Sequence, residues 1–247
     1  MKFTAFLFFA LPLIVRGDAL SDLRNCLQKL QSDQIIRARV EITTRRSDGE
    51  NDKQKQSAGS SSVLVECGAQ GLSLSWSPEQ IQQSRKAAWE KSANPDAPKS
   101  NVATLTALDA SEALNLLDAA DSLRRGLEKA VVLEDKRDNY GGKSVRLLVL
   151  RIDLRLGEEG RKAMKSSDAI LKLWLDGDGV PIAMDRDIQM KFSKFFLTYR
   201  VREHNASDFQ VAGGKLVVSR ATQESSGSGL GHSEESHTTT MVTLLPK

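Results

Sequence analysis

The chain has 247 residues with Lys+Arg 35 against Asp+Glu 32, a formal net charge of +3. Lys2 and Arg16 lie within residues 1–17, and without them the balance is 33 against 32, which excludes the clustered basic footprint of a nucleic-acid binder. Its two cysteines, Cys26 and Cys67, exclude a scaffold built on many disulfides.

The opening "MKFTAFLFFALPLIVRGDA" sets one lysine before an apolar run from Phe3 to Val15, then small residues at Gly17 and Ala19. This is the pattern of a secretory signal peptide, expected over residues 1–19. The run of about thirteen residues is shorter than the roughly 20 that a bilayer requires, and no transmembrane span is expected anywhere. The expected location is therefore periplasmic or secreted. In an oxidising compartment Cys26 and Cys67 are expected to form one disulfide. Its loop of about 41 residues would contribute roughly 4 kcal/mol in the chain-entropy model.

Leu20, Leu23, Leu27 and Leu30 follow helical spacing, and period 2 then takes over in "IIRARVEITT". Residues 47–60 are polar with scattered glycine and read as a loop. "VLVEC" and "LSLSW" around "GAQG" read as a hairpin. Ser77, Pro78 and Glu79 are a helix start, and a longer helix is expected from about Ala107 to Ala130. Two strands follow around Gly141-Gly142, the second of them apolar on one side from Leu148 to Leu156. "LKLWLDGDGVPIAMDRDIQMKF" reads as strand, turn, strand, and "FFLTYRVRE", "VAGGKLVVS" and "HTTTMVTLL" supply the rest. Residues 223–237, rich in Gly and Ser, read as a flexible loop.

Alternating strands also suit a two-sheet sandwich. The strands here are long, however, and the helices fall in one block at about 77–130. The expected fold is therefore α+β: residues 20–247 form a single domain, a strongly curved antiparallel half-barrel of about ten strands. Two to three helices cover its concave face.

The order of N-terminal helix, arginine-bearing strand, "YGGKSVRLLVL" hairpin, then "LKLWLDGDGVP" and a long strand resembles the LolA-like superfamily. This comprises bacterial lipoprotein carriers, their outer-membrane receptors and periplasmic stress-response regulators. The resemblance implies an open half-barrel with helices over its mouth and an apolar cavity for acyl chains or a protein partner. It implies no enzymatic activity and no cofactor. None of the carriers' functional residues aligns one-to-one here, Arg37 and Arg39 included.

The polar candidates weigh less. Asp176-Gly-Asp178-Gly begins like a calcium loop, but Val180 and Pro181 stand where the EF-hand needs a ligand and a glycine. Aspartate and glycine are also what a tight turn demands. Asp185 and Asp187 alternate with apolar residues and face outward. His232 and His237 flank "SEE" without structural zinc spacing. No nucleophile elbow or phosphate-cradling loop is present, and no metal ligands or catalytic residues are assigned. The sequon Asn205-Ala206-Ser207 acts only in a eukaryotic secretory pathway.

The apolar stripe carries the expected function. Val40, Ile42, Leu150, Ile152, Met184, Ile188, Met190, Phe195 and Leu197, with Trp89 from the first inserted helix, are the expected ligand-binding residues. The helices offer about 20 apolar side chains against nearly twice that number on the sheet, so some apolar surface is expected to await a lipid, an acyl chain or a partner. The alternative expectation is a periplasmic interaction or sensor module of the same fold.

Overall fold

The computed structural model describes residues 19–50, 53–94, 108–154, 156–194, 197–229 and 231–246. In chain order these form α1 (Ala19–Lys29), β1 (Ile36–Glu50), β2 (Lys53–Gly68), β3 (Gly71–Trp76), α2 (Pro78–Ala93), α3 (Ala110–Leu117) and α4 (Ala119–Gly126). Then come β4 (Val131–Tyr140), β5 (Lys143–Arg151), α5 (Glu158–Ala163), β6 (Met164–Leu175), β7 (Pro181–Lys194), β8 (Leu197–Ala212), β9 (Lys215–Gly229) and β10 (His232–Leu244). The strands make one antiparallel sheet in the order β3-β2-β1-β10-β9-β8-β7-β6-β5-β4, which does not close. The signal-peptide segment lies outside the described residues apart from Ala19.

The topology explains why helices cover one face. β3 and β4 are the two edges of the sheet, so the chain between Trp76 and Val131 has to cross from one side to the other. On that path α3 and α4 lie over the apolar side, and α1 packs beside α4. Two adjoining buried groups result. Leu23 and Leu27 of α1 and Leu127 after α4 meet Leu148, Leu150, Leu171 and Leu173. Ala113 and Leu117 of α3 meet Val40, Ile42, Val63 and Val65. Each fully buried leucine or valine contributes roughly 1.5–3 kcal/mol.

The expected helix over 107–130 is broken at Asp118, whose φ of −145° and ψ of 63° leave the helical region. A straight helix would set residues 117 and 119 about 200° apart. The break lets Leu117, Ala119 and Ala120 all be buried. It also brings the Asp118 carboxylate 3.6 Å from Nζ of Lys215, itself only 4% exposed. Burial pushes the Asp118 carboxyl up, and the Lys215 ammonium draws it partly back.

Other expectations are corrected. α2 forms with its capping box but buries none of its described side chains, so it is not part of the cover. The strand expected to run to Leu156 stops at Arg151, and α5 follows, with Glu158 and Glu159 in its first turn and Arg161 and Lys162 in its last. The loops read at 47–60 and 223–237 are the outer ends of long hairpins, where β1 pairs with β2 and β9 with β10. The cysteines are not bonded. Cys26 packs against the first buried group, and Cys67 belongs to the second, 3.9 Å from Lys215 Nζ. The docking of α1 onto α4 carries the two thiols to different parts of the core.

Candidate functional site

The apolar candidates are mostly core. Val40 and Leu150 are 0% exposed, Ile42 and Ile188 5%. Ile152 and Met184 are partly buried against the first group. Trp89 is 71% exposed on α2, whose contact with the sheet runs through Gln80 Nε2 donating to Ser61 Oγ, and it does not join the buried candidates. Met190 is half-buried and lines a cavity described below. Phe195 and the side chain of Leu197 lie outside the described residues.

The strands extend beyond the helices, and there the open space is polar. Along β1 the side that carries buried Ile36, Ala38, Val40 and Ile42 continues as Thr44, Arg46 and Asp48. A cavity of about 950 Å³ is lined from β1, β2, β7, β8, β9 and β10 by Arg45, Gln56, Asp187, Arg202, His204, Glu224, Ser226 and His237 among others. Most of these belong to the face opposite the helices. Arg46, Ser57, Ser225 and Ser236 join the lining from the other face, so the open space lies mainly, but not wholly, on the helix-free side of the outer strand ends. A second cavity of about 580 Å³ shares Arg202, Ser226 and Glu235 and continues the trough past Asp168, Gln189, Lys191 and Arg200.

Strand register places the trough's charges in a row. Arg45, His237, Glu224, His204 and Asp187 stand directly opposite one another on β1, β10, β9, β8 and β7. Each histidine of the chain has a carboxylate beside it. His204 Nδ1 is 3.0 Å from Asp187 Oδ1 and 3.5 Å from Asp185 Oδ1. His237 Nδ1 is 3.3 Å from Glu224 Oε1, and His232 Nε2 is 3.0 Å from Asp48 Oδ1. No protein-family model matches the chain, and no curated protein matches it.

Behind the trough, on the helix side of the same strands, Arg186 is half-buried and its Nε has no hydrogen-bond partner among the described residues. Desolvation pushes its guanidinium down, and Glu203 opposes that shift. Asn205, at the sequon, is 8% exposed on this inner side. Hydroxyl and charge pairs then hold the hairpins together: Thr44 with Thr238 at 3.0 Å, Ser225 with Ser236 at 2.8 Å, and Arg46 with Glu234.

The Asp176–Val180 stretch is a turn. Asp176 Oδ1 accepts from the backbone N–H of Asp178 at 3.0 Å and of Val180 at 2.9 Å. At the other end of the sheet Tyr140 Oη donates to Asp208 Oδ1 at 2.6 Å, and Trp174 Nε1 donates to Asp138 Oδ2 at 2.8 Å. Burial and the Asp208 carboxylate push the Tyr140 hydroxyl up to about 12.

The grouping of Asp185 and Asp187 with His204 was not readable from sequence spacing. The two aspartates share a strand face by alternation, but their histidine arrives through the β7–β8 register.

Proposed function

We propose that the protein is an exported, non-enzymatic binding module, and that its ligand is an extended, polar segment of a partner protein lying in the trough on the helix-free face. The observation that carries this is the contrast between the two faces: the apolar side is covered by α1, α3 and α4, whereas the open trough is lined by charges of both signs and hydroxyls. Such a lining suits a ligand that brings its own backbone and charged groups. His204 hydrogen-bonds the Asp187 carboxylate, so the row is a set of charged pairs that a polar segment can meet. This corresponds to the interaction-module alternative.

A photo-crosslinking residue placed at Gln189 or Ser226 in the trough should capture one discrete partner in the native envelope. The same residue at Lys143, in an exposed hairpin, should not. Arg202→Ala should weaken the capture. Equal labelling from trough and hairpin positions would exclude the trough as the binding surface.

One observation favours the carrier function as a second reading. The cover includes two helices of 8 residues each, joined at the break of Asp118, and these are short enough to leave the sheet together. A carrier would show saturable uptake of a fluorescent fatty acid, lost in Met184→Glu with the far-ultraviolet spectrum intact. Uptake that Met184→Glu leaves unchanged would rule it out.

A further inference from the structure

We infer that Asp185, Asp187 and His204 form a binding site for a divalent first-row transition-metal ion of the zinc class. The site rests on register. Asp185 and Asp187, two residues apart on β7, present their carboxylates to one side, and His204 on β8 stands directly opposite Asp187. One ligand atom from each lies within 4.8 Å of the others.

A hydrogen bond accounts for only part of this arrangement. The imidazole Nδ1 can serve Asp187 at 3.0 Å. Asp185 Oδ1 then remains buried and without a hydrogen-bond partner among the described residues, although the same nitrogen is 3.5 Å away. A buried carboxylate oxygen left in this way is costly. Lys172 faces Asp185 across the β6–β7 ladder, yet no ion pair joins the two among the described residues. Two carboxylates thus converge on one imidazole with an acceptor to spare.

The spacing fits a shared ion. Ligands at about 2.1 Å from a metal are about 3.0 Å apart when adjacent in an octahedron and about 3.4 Å apart in a tetrahedron. The separations from His204 Nδ1 are 3.0 and 3.5 Å. One imidazole with two carboxylates is a mixed nitrogen and oxygen set, which suits zinc, cobalt or nickel better than calcium. The three residues are partly exposed, and Asp187 and His204 line the larger cavity. An ion held there would therefore keep positions open to water or to a ligand in the trough. The site stands independently of whether the trough takes a partner segment.

The test uses the full chain, stripped with a chelator and titrated with zinc by calorimetry and with cobalt by visible absorption. One ion per chain is expected. Asp185→Asn, which keeps the side chain's shape, and His204→Ala should each weaken binding more than tenfold, since even an outer-shell partner is worth roughly 10–100-fold. His237→Ala, one pair further along the row, should leave the affinity unchanged. Far-ultraviolet spectra establish that each variant is folded. A flat titration of the native chain overturns the inference. So does binding that survives both Asp185→Asn and His204→Ala, which would place the ion on other acids.

Discussion

Truncating Leu150 separates a filled apolar face from one that waits for a ligand. Its side chain is 0% exposed and lies among Leu148, Leu171, Leu173 and the α1 residues Leu23 and Leu27. Leucine-to-alanine changes in rigid cores cost about 3–5 kcal/mol, the larger values where the walls cannot collapse. The walls here are a strand paired on both sides and two docked helices, so Leu150→Ala should cost about 3–4 kcal/mol. Urea unfolding followed by tryptophan fluorescence reads the loss as a lower midpoint at an unchanged slope. Glu224→Gln, on the trough wall, should stay within about 0.5 kcal/mol of the native protein. A loss below about 1 kcal/mol for Leu150→Ala would mean that the residue lines open space, and the assignment of the apolar face as core would fall.

Three further outcomes are expected. Burial raises the Asp118 carboxyl above its unfolded value, so its ionised form costs stability that is absent below about pH 4 and sets in as pH rises through the folded value. Asp118→Asn should therefore flatten part of the pH dependence of the urea midpoint between neutrality and about pH 4; an unchanged profile would refute the linkage. The Tyr140 hydroxyl, pushed up to about 12, favours the folded state below its unfolded value near 10 and loses that contribution as pH rises between the two. Tyr140→Phe should make alkaline unfolding, followed by Trp174 fluorescence, less steep over that range, and an identical transition would argue against the Asp208 contact. Gly227 lies under the Tyr199 ring, where an added Cβ would overlap the hydroxyl and stand 2.9 Å from Cζ. Gly227→Ala should lower the melting temperature, at a cost of about 1 kcal/mol, and an unchanged melting temperature would show that Tyr199 does not hold its place over Gly227.

Alternation made much of the sheet legible. In β1 the residues Ile36, Ala38, Val40 and Ile42 are buried as period 2 requires, and Arg37, Arg39 and Glu41 are exposed. The hairpin ends at 47–60 and 223–237 were not legible, because they bury almost nothing apolar. They are held by the backbone ladder and by pairs such as Ser225 with Ser236, whose composition is that of a loop. The Asp118 break escaped periodicity because leucines and alanines continue through it, and the buried Lys215 that Asp118 meets there is almost a hundred positions away in sequence. The site was hidden for a similar reason. Asp187 meets His204 only because Lys194 pairs with Leu197, and the intervening Phe-Phe carries no turn signature. The trough itself joins residues from six strands, and a pattern of inward and outward residues does not say which strands lie side by side.

The position of β10 constrains the order in which the protein can assemble. One run of neighbouring strands, β1 to β3, and another, β4 to β9, are joined in the backbone ladder only by this late segment, whose Val242 pairs with Val40. Neither run gains its full set of partners until residues 232–244 are in place, and contacts so distant along the chain form slowly. A nascent polypeptide of this design cannot join its two half-sheets until almost the whole chain has been made.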